Sequence, residues 1–250
     1  MIDTQISDGI AVLTLAHGKV NALDIEFCEA LAGRFKELAA SRETKAVVLT
    51  AKGNVFSAGV NLIRLNEGGA DYVRQFMPSL QRAFEAVFFH PKPVVAAVNG
   101  HAIAGGCVLT CCADRRIMAR GNGRIGVTEL LVGVPFPVLA FEIMRLAVAP
   151  RYLPEVIYSG ATYEADAALE RGLIDELAEP AELLEDAYAV AQEFAALSPK
   201  AFAQTKAQMR QAAAERVARD AAVEKAATEI WAASETLSYI RAYVERTLKK

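Results

Sequence analysis

Two glycine-bearing turns are the first features of this sequence that could do chemistry. Gly105 and Gly106 follow an apolar, strand-like run at 93–98 and precede a run with helical character. Backbone N–H groups are unpaired at the start of a helix and stabilise negative charge, and glycine allows a substrate oxygen to approach them closely. The pair therefore predicts either half of an oxyanion hole or tight packing of a helix.

The second turn, Ser57-Ala58-Gly59, also follows a strand-like run, in the segment GNVFSAGVNL at 53–62. Open α/β sheets bind ligands beyond the carboxyl ends of their strands, so two such turns could supply two convergent N–H donors. Neither turn has GxGxxG spacing or the GKS or GKT ending of a nucleotide loop. The second turn thus favours an oxyanion hole over a phosphate loop.

Three of the four cysteines lie directly after the glycine pair, at Cys107, Cys111 and Cys112. No two cysteines form a CxxC pair, and the whole chain has only three histidines. A zinc or redox site would therefore need an unsupported arrangement of ligands. We expect these cysteines to be small apolar residues of a buried helix, and we expect no metal site.

The elements that must position these turns alternate between strand and helix. Strand-like runs at 10–15, 45–51 and 93–98 are separated by segments of helical periodicity at 24–40 and 72–89, which predicts an α/β fold. Further helices are predicted at 138–148, 150–158, 163–171, 181–197 and within 200–249, with a short apolar run at 173–177. This helical last part either packs on its own core or covers a partner subunit.

Composition excludes several classes of protein. The chain has 250 residues, 53% of them apolar, and a net charge of −3 from 27 basic and 30 acidic residues that are mixed along the sequence. No charged field suited to nucleic acid or to a membrane surface is present, and no apolar run reaches the roughly 18 residues of a membrane span. The first residues, MIDTQISDG, lack the features of a signal peptide, so we expect a cytoplasmic protein.

Six segments together resemble the enoyl-CoA hydratase/isomerase family, also called the crotonase superfamily. They are HGKVNALD (17–24), VFSAGVNL (55–62), PKPVVAAVNGHAIAGGC (91–107), ADRRIMA (113–119), IGVTELLVGVPF (125–136) and YSGATYEADAALERGLIDEL (158–177). The resemblance implies an α/β, crotonase-like spiral of ββα units at 1–197. It also implies an α-helical region at 198–250 that covers the core or forms trimers, in a homotrimer or hexamer.

The same resemblance implies roles for individual residues. The N–H groups of Val60 and Gly105 would form an oxyanion hole for the thioester oxygen of an acyl-CoA substrate. Residues that would contact coenzyme A, which is part of the substrate and not a separate cofactor, are Lys19, Val20, Ala22, Ala58, Asn61 and Leu62. Asn61 stands where the family usually has aspartate, and we expect this difference to affect the capping of the turn more than catalysis.

The carboxylates narrow the reaction. By the same resemblance, family members that hydrate 2-enoyl thioesters carry two glutamates in their active site. In this sequence Val108 stands at the position of the first, and Glu129 stands at the position of the second. A shift of a double bond from C3 to C2 requires only one acid/base, which favours an enoyl-CoA isomerase with Glu129 in that role. Alternatives are a hydratase, hydrolase or decarboxylase, or an acyl-CoA-binding protein without activity. Without the resemblance, Glu129 would be interpreted as a surface residue.

Overall fold

A computed structural model describes residues 1–247, which contain nine strands and eleven helices. The strands are β1 Ile2–Ser7, β2 Ile10–Leu15, β3 Ala46–Ala51, β4 Val55–Ser57, β5 Val94–Val98, β6 His101–Ile103, β7 Arg115–Ala119, β8 Ile125–Gly126 and β9 Glu176–Ala178. The helices are α1 Ile25–Ala40, α2 Leu62–Phe88, α3 Gly105–Cys111, α4 Glu129–Val132, α5 Val138–Ala147, α6 Leu153–Ser159, α7 Ala165–Arg171, α8 Leu183–Ala195, α9 Pro199–Arg219, α10 Ala221–Ala232 and α11 Ser234–Thr247.

The strands form two sheets. The larger has the order β1-β2-β3-β5-β7-β9, in which β1 is antiparallel to β2 and every other neighbouring pair is parallel. The smaller has the order β4-β6-β8 and is wholly parallel. Parallel neighbours place the carboxyl ends of β4 and β6 at one edge, and this is the edge from which both glycine turns emerge.

A repeated unit connects the two sheets. One strand of the large sheet is followed by one strand of the small sheet and then by a helix, in the series β3-β4-α2, β5-β6-α3 and β7-β8-α4. This arrangement confirms the predicted crotonase-like spiral of ββα units with a helical last part. The repeat cannot be seen in the sequence because its helices have 27, 7 and 4 residues. The units share the order of their elements but not a pattern of residues.

The large sheet is buried on both faces. Along β3, Val47 and Leu49 belong to the main core beneath α1 and α2, whereas Ala46 and Val48 face a second cluster completed by α8. A strand covered on both sides reads as a continuous apolar run, which is why 45–51 and 93–98 were recognisable in the sequence. The core is therefore two layers of side chains on either side of one sheet.

Most predicted helices and strands lie within a few residues of the observed ones. The main difference is α2, predicted at 72–89, which begins ten residues earlier at Leu62. Gly69 in this helix has a φ of 63° and kinks it, so the Gly68-Gly69 pair concealed the first turns. Of the apolar run at 173–177, only the last two residues belong to strand β9.

The region predicted as helical at 200–249 consists of α9, α10 and α11, and its last two residues lie outside those that the structure describes. Helix α9 is tied to the core by Lys206 and Arg210, which both donate to the carboxylate of Asp114 at 2.6 and 2.7 Å. Helices α10 and α11 pack on α2 of the same chain. Within the described part, this region thus covers its own core; its predicted role in trimer formation remains a prediction.

Candidate active site

The two glycine turns pack directly against each other. A Cβ atom on Gly59 would lie 2.6 Å from the carbonyl oxygen of Ile103 and 3.0 Å from the nitrogen of Gly105. A Cβ on Gly106 would lie 2.3 Å from the carbonyl oxygen of Ser57. Only glycine allows backbones to approach this closely. Gly106 therefore has the packing role that the sequence offered as one alternative. Gly105 lies beside the other turn, as the alternative of an oxyanion hole requires.

The N–H groups of Val60 and Gly105 have no acceptor within residues 1–247, whereas those of Gly59, Asn61 and Ala104 are paired. Ala58 donates to the carbonyl of Val20 at 2.9 Å, and Asn61 donates to that of Leu23 at 2.9 Å. This pairing fixes the first turn and leaves the N–H of Val60 free. Two unpaired donors on adjoining, rigid turns are what an oxyanion hole requires.

Backbone strain is concentrated at the second turn. Ala104, immediately before Gly105, has φ 51° and ψ −123°, a conformation that L-residues with a Cβ rarely adopt. Such a residue costs on the order of 1–3 kcal/mol and persists only where the surroundings enforce it. Here the N–H of Ala104 is held by the carbonyl of Gly126 at 2.8 Å, which fixes the start of α3.

A cavity of about 500 Å³ opens beside these turns. Seven of the nine residues predicted for the site line it: Val20, Ala22, Ala58, Val60, Asn61, Leu62 and Glu129. Lys19 is exposed on the adjoining loop and does not line the cavity, and Gly105 adjoins it through its neighbour Ala104. Residues that the sequence did not identify also line it: Ile63, Ile103, Ala104, Thr128, Val132, Val134, Trp231, Tyr243 and Thr247.

Glu129 is buried in this cavity and is not a surface residue. It is the first residue of α4, is 8% exposed, and its Oε2 atom has no hydrogen-bond partner in residues 1–247. Burial disfavours the charged form and raises the pKa of Glu129 to about 7, although the N–H groups of Glu129 and Thr128 oppose the increase. A carboxyl group with a pKa near neutrality can both accept and return a proton.

Glu129 is the only carboxylic acid among the described residues that line the cavity. Val108, at the position of the other glutamate in hydrating relatives, is 1% exposed and belongs to the main core. Its side chain neither lines the cavity nor can move a proton. The described part of the cavity therefore offers one carboxylic acid to a bound substrate.

The loop at 17–22, which carries the predicted coenzyme A contacts, is anchored by Asn21. This residue is 2% exposed and has a φ of 48°. Its amide accepts from the N–H of His17 at 2.7 Å and donates to the carbonyl of Val55 at 3.0 Å, and its carbonyl accepts from Ser57 Oγ at 2.7 Å. The loop and the first glycine turn are consequently one connected structure.

Asn61 caps α2, so the expected effect of this asparagine on capping is not seen. Its side-chain oxygen accepts a hydrogen bond from the N–H of Arg64 at 3.1 Å. Asparagine and aspartate are about equally good at this position of a helix, because both present an oxygen to the same N–H group. The replacement of the usual aspartate thus preserves the cap.

His101, Glu142 and Phe136, which could also be considered for the site, have structural roles. His101 Nδ1 accepts from the N–H of Arg124 at 3.3 Å, and Glu142 pairs with Arg216 and Arg145. Phe136 lines a separate, open cavity near Glu142 and packs on the core. The four cysteines are buried and unpaired, and burial raises the pKa of Cys28, Cys107 and Cys112. No cluster suited to a metal ion exists among residues 1–247.

The pKa of Glu129 predicts a pH-dependent stability. The folded state binds this proton more tightly than the unfolded state, whose pKa is near 4.5, so the free energy of unfolding falls as pH rises from about 4.5 to 7. The accumulated loss is about 3 kcal/mol at pH 8. We expect Glu129→Gln to be more stable than the wild type at pH 8 by up to this amount, relative to their difference at pH 5.

Urea denaturation at fixed protein concentration across pH 5 to 8 measures this effect. Glu67→Gln is the matched control, because Glu67 is an exposed glutamate on α2. If both variants followed the wild-type dependence on pH, the raised pKa of Glu129 would be refuted.

Comparison with known proteins identifies the family. A family model described as enoyl-CoA hydratase/isomerase matches residues 5–249. A putative enoyl-CoA hydratase of Thermus thermophilus is 36% identical over 189 residues, which are 74% of each chain. The solved structure of an enoyl-CoA isomerase of Mycobacterium tuberculosis is 32% identical, with a TM-score of 0.80 over 93% of this chain and 98% of that chain.

A third protein shows how completely the fold is shared. Human mitochondrial Δ3,Δ2-enoyl-CoA isomerase is 23% identical and has a TM-score of 0.94, over 99% of this chain and 98% of that chain. At this identity the likeness concerns the fold alone. No helix in residues 1–247 is long and apolar enough to cross a membrane. From the family match over nearly the whole chain and the shared fold, we conclude that this chain belongs to the enoyl-CoA hydratase/isomerase family of the crotonase superfamily.

Proposed function

We propose that the protein converts 3-enoyl-CoA thioesters to 2-enoyl-CoA thioesters, with Glu129 as the only acid/base. One observation carries this proposal: Glu129 is the single carboxylic acid among the described residues that line the cavity, while buried Val108 stands where hydrating relatives have their other glutamate. A proton that leaves C2 and a proton that arrives at C4 can use the same carboxylate in turn. Hydration also has to orient and deprotonate a water molecule, a task that is naturally divided between two groups.

The proposed reaction begins with the thioester oxygen between the N–H groups of Val60 and Gly105. The Glu129 carboxylate removes a proton from C2, and the electron pair moves onto the thioester oxygen as a dienolate. The two N–H donors stabilise this negative charge, and one such donor contributes on the order of 3–4 kcal/mol. The carboxylic acid of Glu129 then returns the proton to C4, which leaves the double bond between C2 and C3 and restores the carboxylate.

Coenzyme A enters this proposal as part of the substrate, along the loop at 17–22 and the first glycine turn. The cavity is lined there by Val20, Ala22, Ala58, Asn61 and Leu62. Exposed Lys19 lies beside them, where a cationic side chain suits a phosphate.

The mechanism needs no metal ion, because backbone dipoles hold the enolate. We also propose that the protein assembles as a homotrimer or hexamer, as the family resemblance implies.

The second candidate function is hydration of 2-enoyl-CoA. It is favoured by the name of the Thermus thermophilus relative, which is called a putative enoyl-CoA hydratase. The Mycobacterium tuberculosis protein is called an isomerase in one solved structure and a probable enoyl-CoA hydratase in another, so the names alone do not decide. Thioester hydrolysis, decarboxylation and acyl-CoA binding without catalysis use the same oxyanion hole and remain less favoured, because no observation at the site points to them.

Two substrates distinguish these functions. We expect the protein to produce a conjugated thioester from 3-hexenoyl-CoA, seen as rising ultraviolet absorbance, and to leave crotonyl-CoA unhydrated. Loss of the conjugated absorbance of crotonyl-CoA at a comparable rate would overturn the isomerase in favour of the hydratase. No change with either substrate, together with tight binding of both, would indicate a protein that only binds acyl-CoA.

A further inference from the structure

The cavity has an exposed rim and a buried floor. On the rim, Val20, Ile63 and Thr247 are exposed to solvent. On the floor, Val132 is 5%, Val134 2% and Trp231 3% exposed, and all three belong to the main core. A ligand that enters from the rim therefore reaches a closed, apolar end.

Trp231 is held rigidly in this floor. Its indole Nε1 donates to the carbonyl oxygen of Pro135 at 2.9 Å, directly after Val134. Helix α10, which carries it, is tied to α2 by an ion pair in which Arg74 Nη2 lies 2.9 Å from Glu229 Oε2. A large side chain whose only polar atom is satisfied and whose surroundings are packed cannot swing aside cheaply.

The floor adjoins the helix that carries Glu129. Glu129 and Val132 are three residues apart on α4 and so occupy the same face of this helix, and both line the cavity. Trp231 is attached to the segment that follows this helix. An acyl chain with its C2 and C4 beside Glu129 has Val132, Val134 and the indole ring in the same cavity as apolar surface for its remaining carbons.

From this arrangement we propose that Trp231 limits the length of the acyl chain, so that the substrates are short- to medium-chain, unsubstituted acyl-CoA thioesters. The proposal rests on the proposed function of the same cavity. Each methylene buried against the floor raises affinity about fourfold, until the chain meets the ring. A longer chain has to displace a packed side chain or leave the cavity, and overpacking of a core is unfavourable.

The apolar floor also restricts which substituents the acyl chain of the substrate can carry. Val132, Val134 and Trp231 present carbon to the cavity, and the one polar atom among their side chains, the indole nitrogen, is already paired. A hydroxyl or carboxyl group near the end of the acyl chain would lose its water there without gaining a hydrogen bond. Plain hydrocarbon chains are therefore the class that fits.

A series of saturated acyl-CoA thioesters from butyryl to palmitoyl tests the proposal. Isothermal titration calorimetry should show that wild-type affinity rises about fourfold per methylene and then stops rising at a chain shorter than palmitoyl. The chain length at which the affinity stops rising is called the break. Trp231 is the only tryptophan in the chain, so the fluorescence of the wild type should change as the chain reaches the floor. An affinity that rises without a break to palmitoyl-CoA would overturn the proposal.

Three variants locate the limit. Trp231→Leu should move the break to longer chains and strengthen palmitoyl-CoA binding at least tenfold, whereas Trp231→Phe, which retains a ring, should keep the break near its wild-type position. Ile230→Ala is the matched control, because Ile230 is the neighbouring residue on α10 and is 49% exposed. If Trp231→Leu and Ile230→Ala had the same break, Trp231 would not be the limit.

The outcomes separate this proposal from the one on which it rests. Failure of the wild type to bind any acyl-CoA would refute the proposed function itself, and with it the role of Trp231. Binding that ignores chain length would leave the acyl-CoA function intact and refute only the length limit. If Trp231→Leu does not fold, the wild-type series and the tryptophan fluorescence still decide.

Discussion

Glu129→Gln should lower kcat for 3-hexenoyl-CoA by about 10²–10⁴-fold, the usual contribution of a general acid/base. Glutamine keeps the size of the side chain but cannot take the C2 proton. Because the native group has a pKa of about 7, wild-type kcat/KM should rise with pH up to that value, as the carboxylate form becomes populated. The variant should lack this rise in any residual activity.

Two measurements keep this result specific. Exchange of the C2 protons of hexanoyl-CoA in deuterium oxide, followed by nuclear magnetic resonance, should disappear in Glu129→Gln, while calorimetry should give a nearly unchanged dissociation constant for the same ligand. Glu67→Gln, on the exposed face of α2, should resemble the wild type in both. Full activity in Glu129→Gln would remove Glu129 from the mechanism and require another base.

Gly59→Ala should have the second largest effect, a loss of about 10²–10³-fold in kcat, comparable with the removal of one donor from an oxyanion hole. The added Cβ would lie 2.6 Å from the carbonyl oxygen of Ile103 and 3.0 Å from the nitrogen of Gly105, so the two turns must separate. In the proposed mechanism, the N–H groups of Val60 and Gly105 would then no longer meet at one oxygen atom. Steady-state kinetics with 3-hexenoyl-CoA measures the loss.

Gly53→Ala is a closely matched control for this variant. Gly53 has a φ of 83° and Gly59 a φ of 80°, so both substitutions impose a similar backbone cost of about 1–2 kcal/mol. Nothing lies within 4 Å of a Cβ on Gly53, so only Gly59→Ala should disturb the site. Equal activity in the two variants would argue against a catalytic role for the contact between the turns.

The parts of the site that could be predicted are those built from short contiguous segments. The first turn was identifiable because its residue types are a local property of 55–62, and Glu129 was identifiable because the segment 125–136 resembles the family. The burial of Glu129 could be expected only from the role that the resemblance implies, since a glutamate at the start of a four-residue helix is expected to be exposed until the surrounding chain is in place. The raised pKa is a tertiary property for the same reason.

The part of the cavity that α10 and α11 line could not be predicted from local patterns. Trp231 and Tyr243 reach the cavity from helices that lie about one hundred residues after Glu129, and helical periodicity does not say which core a helix will cover. The sequence left open whether these helices cover their own subunit or a partner. Likewise, the ββα spiral followed from resemblance and not from a repeat, because its three helices differ so much in length.

Two hydrogen bonds between α10 and the segment after Glu129 have a consequence for the order in which the protein folds during synthesis. Trp231 donates to the carbonyl of Pro135, and Glu224 Oε2 accepts from the N–H of Val138 at 2.7 Å. Because a ribosome makes residues 221–247 after everything else that lines the cavity, the spiral can form while the cavity still lacks Trp231, Tyr243 and Thr247. The proposed activity should therefore appear late in synthesis, when these helices dock.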